Sequence, residues 1–231
     1  MDELGQELAD LTADLKAVLL DARARGVQAL LESEPPGPVA TAPTSVLERI
    51  RAELGDCTRC SLSAERTRLV FGAGNPNADL LIVGEAPGAQ EDRAGLPFVG
   101  PAGRMLEDML EHVLGLHRDQ VYITNVVKCR PPSNRTPLPD EINTCRVFLD
   151  QQVQAVSPKV ILSLGRPATQ TLLDTTRGIK SLRGKWNSFQ GIPLLPTFHP
   201  AYLLRQAQDK RLVFEDLKAL RKRYDDLGGL R

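Results

Sequence analysis

The chain has no net charge, because 29 lysines and arginines offset 29 aspartates and glutamates over 231 residues. That balance argues against a protein held to nucleic acid by bulk electrostatics alone. No apolar run approaches the roughly eighteen residues that a membrane span needs, so no membrane partner is expected. The opening MDELGQELADL is acidic and lacks the basic-then-apolar plan of a secretory leader, so a cytoplasmic protein is expected. There is no Walker A sequence and no G-x-G-x-x-G after a strand, which removes support from the nucleotide-binding folds. No internal repeat is visible. Cysteine is scarce, four in all.

What charge there is lies unevenly. Residues up to about 60 are acidic on balance, whereas Arg177 to Arg223 holds eleven basic residues against three acids. A neutral protein can therefore carry a basic face. From Lys218 onward the bland reading, a solvated helical surface, is preferred.

Residues 1–32 read as a helical appendage, with Leu4, Leu8, Leu11 and Leu15 at helical spacing. Its apolar stripe is available to a protein partner or to the rest of the chain. Residues 33–45 form a Pro-rich, semi-rigid linker, and 46–231 make up the folded domain. Ser45, with Glu48 three residues on, is the expected cap of a short helix to Leu54. Strands are expected over Asp79–Gly84, Val121–Val127, Lys159–Gly165 and Ile192–Thr197. Helices are expected over Pro101–Leu114, Asp140–Ala155, Arg166–Asp174 and Asp209–Tyr224. Apolar strands alternating with helices imply a mainly parallel sheet covered on both faces.

The stretch around which the domain is organised is LLIVGEAPGAQEDRAGLPFVGPAGRML, Leu80 to Leu106. A buried strand runs into a Gly-rich loop with Glu85, Glu91 and Asp92, then an apolar Pro97-Phe98-Val99 segment. Ligands of open α/β sheets sit beyond the carboxyl ends of the strands. Asn125 in the second strand and His199 after the fourth add polar groups at that same end.

The cysteines fall as Cys57-x2-Cys60, then Cys129 and Cys145 with fifteen residues between them. In a cytosolic chain, metal binding or redox chemistry is a better default than disulfides. Four thiolates suit either zinc or an iron–sulfur cluster, and spacing does not choose between them. Four unrelated buried thiols are the bland alternative.

GEAPGAQEDRAGLPFVGPAG, TNVVKCRPPSNRTP and FHPAYLLR, with the four-cysteine pattern, resemble the iron–sulfur uracil-DNA glycosylases of family 4. The resemblance spans roughly Leu54 to Arg223. A covalently acting sister group carries a KRRIH-type insertion that Lys128-Cys129-Arg130-Pro131-Pro132 lacks, which favours the hydrolytic branch. The resemblance implies a three-layer αβα sandwich on a four-stranded mainly parallel sheet. It also implies a structural [4Fe–4S] cluster on Cys57, Cys60, Cys129 and Cys145, and uracil-containing DNA as substrate. A monomer is expected.

Removing uracil breaks a bond between sugar and base, so positive charge grows on the sugar and negative charge on the base. The residue types suit that task. Phe98 would stack on the flipped ring, and Asn125 would pair with its N3–H and O4. His199 would donate to O2 as the base leaves. Glu85 would orient or deprotonate water, or stabilise the sugar cation. Glu91, by family analogy, would line the pocket and help exclude the thymine methyl. Leu203 would wedge into the duplex. Arg205, Arg183 and Lys185 would meet phosphate, with Lys128, Arg130 and Arg135 as further candidates. Two rivals from other classes are a non-catalytic DNA-binding protein with a metal-stapled core and a cytosolic electron carrier. A glycosylase that also accepts deaminated purines is a nearer one.

Overall fold

The computed structural model describes residues 45–229, together with Lys16 and Asp21. All of the expected helical appendage but Lys16 and Asp21, and all of the Pro-rich linker but Ser45, therefore lie outside the described residues.

The first helix, α1 (Val46–Leu54), starts where its sequence signal stands. Ser45 Oγ accepts from the Glu48 N–H at 3.1 Å while Glu48 returns the bond to the Ser45 N–H at 2.8 Å. This reciprocal cap satisfies two backbone donors that a helix start would otherwise leave unpaired. Leu47, Ile50 and Leu54 form its buried face.

Among the described residues, six strands form one sheet: β1 (Ala73–Gly74), β2 (Leu80–Gly84), β3 (Tyr122–Asn125), β4 (Val160–Leu164), β5 (Asn187–Phe189) and β6 (Ile192–Thr197). Their order is β1-β3-β2-β4-β6-β5. The expectation of a four-stranded, mainly parallel sheet is corrected here. The four expected strands make the parallel centre, and short antiparallel strands pair onto both of its edges. Runs such as LLIVG and VILSL occupy the middle because every residue in them is buried, the pattern of a sheet covered on both faces.

The helices that follow are α2 (Ala89–Ala94), α3 (Pro101–Met109), α4 (Pro139–Val156), α5 (Arg166–Leu173), α6 (Ile179–Leu182), α7 (Pro200–Leu203) and α8 (Lys210–Asp226). The expected helix over Pro101–Leu114 widens into a π turn at Leu110–Leu114 and stops at Gly115 in the left-handed region. Alternation along the strands divides the core. Leu81, Val83, Tyr122, Ile161 and Leu194 pack with α1, α4 and α5. Leu80, Ile82, Ile123, Leu162 and Leu195 pack with α3, the π turn and α8. Because the four central strands are parallel, the loops after β2, β3, β4 and β6 all emerge at one end of the sheet. That end holds the site.

Candidate active site

A cavity of about 430 Å³ opens there, lined among others by Glu85, Glu91, Phe98, Asn125, His199 and Arg205. Residues spread over more than a hundred positions are brought together by strand parallelism.

Phe98 is held in an unusual place. Its φ is +51°, a region that a bulky side chain rarely adopts, so the surroundings must impose it. Arg118 donates from Nη1 to the Phe98 carbonyl at 2.9 Å and from Nη2 to that of Pro97. Glu91 Oε1 accepts from the Val99 and Gly100 N–H groups, both at 2.9 Å. Glu91 thus lines the cavity and also clamps the turn that presents Phe98. A Cβ on Gly103 would stand 2.0 Å from the Phe98 carbonyl oxygen, so only glycine lets α3 approach this closely. The Phe98 ring, 5 % exposed, stacks on His199 with centroids 5.5 Å apart and planes at 28°.

Asn125 ends β3 and is 2 % exposed, yet its Oδ1 has no hydrogen-bond partner. A buried amide oxygen without a partner carries a desolvation cost, about 1–3 kcal/mol, that a bound donor would relieve. His199 caps α7, and its Nδ1 accepts from the Ala201 N–H at 3.1 Å. The neutral ring therefore carries its proton on Nε2. Burial takes its pKa down to about 4; the Arg205 charge acts in the same direction, and Glu91 opposes it. Half-buried Glu85 is shifted the other way. Burial raises its carboxyl above the ordinary value, against a Thr136 hydrogen bond and the charge of Arg166, which favour the ionised form.

Several expected DNA contacts are placed differently. Lys185 and Arg205 are exposed, as a phosphate contact requires. Arg183 is turned inward: Nε donates to Asp216 Oδ2 at 2.9 Å, Nη2 bonds Asp216 Oδ1 and the Leu212 carbonyl, and the guanidinium lies 5.6 Å from the Phe198 ring centre. Its charge is spent within the fold, which corrects the phosphate assignment. Arg135 is likewise committed, in a two-bond pair with fully buried Glu141 at 2.7 and 2.8 Å. Lys128 is completely buried and cannot reach DNA. Leu203, 1 % exposed, packs in the core, so the expected wedge is corrected as well; its neighbour Leu204 is 49 % exposed. Arg166 was not among the candidates. It is an exposed cation following β4, and its charge acts on Glu85. Its position right after a strand end was the signal available in the sequence.

The four cysteines are free thiols beside the α1–α4 side of the core. Cys57 and Cys60 follow α1, Cys129 lies beyond β3, and Cys145 sits on α4. They share one electrostatic neighbourhood. Burial raises the thiol pKa of Cys60, Cys129 and Cys145, that of Cys129 to about 11, and charge on the neighbouring cysteines acts in the same direction. Arg59 donates to Cys57 Sγ at 3.2 Å and Arg66 to Cys129 Sγ at 3.3 Å. Among the described residues, no group of three or more ligating side chains is closed to metal-ion geometry. Four free thiols, two of them with an arginine donating to the sulfur, nonetheless form a donor set chemically suited to an anionic thiolate centre.

Fold and cavity together define an α/β protein with a cavity at the carboxyl ends of its parallel strands. The model of the uracil DNA glycosylase superfamily matches residues 71–227. The chain is 44 % identical over 184 residues to a Type-4 uracil-DNA glycosylase of Sulfurisphaera tokodaii, covering 76 % of this chain and 84 % of that protein. It is 42 % identical over 179 residues to the Type-4 uracil-DNA glycosylase of Thermotoga maritima, covering 75 % and 92 %. A DNA polymerase of Bacillus phage SP01 is 32 % identical over 150 residues, which are 64 % of this chain and 16 % of the polymerase. The chain belongs to the uracil DNA glycosylase superfamily, with the type-4 enzymes as its relatives.

Proposed function

We propose that the chain is a DNA repair glycosylase that hydrolyses the bond between uracil and deoxyribose and leaves an abasic site. The observation that carries the reading is the buried, unpartnered Asn125 Oδ1 in a cavity shared with a neutral His199 and a half-buried Glu85. An amide there can accept from uracil N3–H and donate to O4, whereas cytosine presents the opposite pattern. Phe98 supplies a stacking face for the extruded ring.

As the bond breaks, the base takes the electron pair and becomes an anion. The Nε2–H of His199 donates to uracil O2 as that charge grows, a contribution typical of an oxyanion donor and worth about 10²–10³ in kcat. Glu85 stands for the carboxylate on the sugar side, where it serves the attacking water or the oxocarbenium ion. Exposed Leu204, in place of Leu203, enters the gap left by the flipped nucleotide. Lys185, Arg205 and Arg166 neutralise phosphates.

Cys57, Cys60, Cys129 and Cys145 would hold a [4Fe–4S] cluster, which supplies a covalent cross-link between the segment after α1, the loop after β3, and α4. The glycosylase domain is taken to comprise residues 46–231.

The test is excision. Anaerobically purified protein is given oligonucleotides that carry uracil, cytosine, thymine or hypoxanthine, and alkali reveals abasic sites. Cleavage at uracil, lost in Glu85→Ala and His199→Ala, is expected. No cleavage by iron-loaded protein that still binds DNA would overturn the enzyme reading.

A further inference from the structure

The ammonium of Lys128, at 0 % exposure, is the most completely buried cation among the described residues and has no part in the chemistry above. No carboxylate among the described residues pairs with it. Its Nζ donates instead to the Asn125 carbonyl at 2.6 Å and to Thr124 Oγ1 at 2.8 Å. A charge so placed is tolerated only where its hydrogen bonds are good and fixed.

Those bonds belong to a larger buried set. Thr124 Oγ1 lies 2.9 Å from the Phe71 carbonyl and 3.1 Å from Gln152 Oε1. Gln152 Nε2 donates to the same Phe71 carbonyl at 2.9 Å and reaches the Tyr122 hydroxyl at 3.4 Å. On the other side, the Val126 and Val127 N–H groups donate to the Gly84 and Glu85 carbonyls at 3.0 and 3.2 Å. The backbone polar groups around Asn125 are thus satisfied by the protein, while its buried amide Oδ1 has no partner. A satisfied buried network specifies one arrangement.

We propose that Lys128 is a positioning residue for base recognition: by gripping the Asn125 carbonyl, it fixes where the Asn125 amide stands in the cavity. This rests on the reading of the cavity as a uracil site. Lys128 precedes Cys129, so the cysteine centre and the reading amide are joined through one residue.

The test uses iron-loaded holoenzyme and three variants: Lys128→Met, Thr124→Val and Asn125→Ala. Iron content and thermal midpoint report on the fold, and competitive inhibition by free uracil reports on recognition. Lys128→Met leaves the Asn125 carbonyl unpaired but keeps the side-chain volume. Its uracil inhibition constant should rise about tenfold to a hundredfold, with iron content kept. Combined with Asn125→Ala, it should add nothing further, because both act on one amide. An unchanged inhibition constant in a folded variant, or full additivity in the cycle, would overturn the proposal. If Lys128→Met fails to fold, Thr124→Val removes one of the two acceptors near-isosterically, and the same two outcomes decide. Wild-type protein that neither excises nor binds uracil would sink the glycosylase reading instead, which is a separate result.

Discussion

The Ala201 N–H donates to Nδ1 of His199 at 3.1 Å, so the bond that caps a four-residue helix also chooses the tautomer of a candidate catalytic ring. With its pKa down to about 4, the ring is neutral throughout the physiological range. Glu85 is displaced the other way, above the ordinary carboxylate value. The acid limb of kcat/KM is therefore expected to belong to Glu85: activity falls as pH drops and its carboxylate takes up a proton. No separate loss should appear near pH 6.5, where an ordinary histidine titrates. The residual activity of Glu85→Gln should lack that limb. For stability the sign is fixed by the same shift. The unfolded chain protonates His199 near 6.5 and the folded one near 4, so between these values the unfolded state binds more protons, and stability is lost as the pH is lowered from about 6.5 to about 4. A ring proton signal of His199 that titrates near pH 6.5 would contradict both expectations.

Leu203 and Leu204 are adjacent in sequence and opposite in burial. Leu203→Ala should lower stability by about 2–5 kcal/mol through the cavity it leaves. Leu204→Ala should leave the thermal midpoint nearly unchanged and slow excision from duplex more than from single strands, where there is no stack to fill. The reverse pattern would return the wedge to Leu203.

That pair marks where the sequence stopped being legible. The runs LLIVG and VILSL were legible as central strands because short, unbroken apolar runs between turn residues suit a sheet covered on both faces. That Glu85, Phe98, Asn125 and His199 line one cavity was legible because strand ends meet in a parallel sheet. The edge strands β1 and β5, of two and three residues, are too short to show a period. A four-residue helix likewise gives no pattern that could tell which of two consecutive leucines faces inward. Lysine and arginine are ordinarily surface residues, so nothing local marked Lys128 as buried or Arg183 as spent on an aspartate on α8, thirty-three positions away.

Arg183 and Asp216 make a pair whose carboxylate is 3 % exposed and also accepts from Thr197 Oγ1 at 2.7 Å, two residues before His199. Arg183→Ala should cost on the order of 3 kcal/mol by leaving a buried carboxylate without its cation. It should leave the salt dependence of DNA binding as it was. Lys185→Ala and Arg205→Ala should do the opposite, each reducing the slope of log K against log salt by about one with little change in stability. A lowered slope in Arg183→Ala would restore it to the interface.

Gly84 ends β2 between the two residues proposed to read and stack the base. A Cβ there would stand 2.3 Å from Asn125 Oδ1 and 2.7 Å from Phe98 Cζ. Its φ is not in the left-handed region, so alanine suits the backbone and only the cavity is crowded. Phe98 has little room to yield, because Arg118, Glu91 and Gly103 hold its turn on three sides. Asn125 is paired to Gly84 in the sheet register and cannot slide without breaking the strand end. Gly84→Ala should therefore fold, since the sheet beneath is untouched, and displace either the amide or the ring. Uracil affinity should fall at least about tenfold, in line with one lost buried hydrogen bond or stacking contact. The measurement is the inhibition constant of free uracil beside the thermal midpoint. An unaltered constant would mean that neither Asn125 nor Phe98 touches the base.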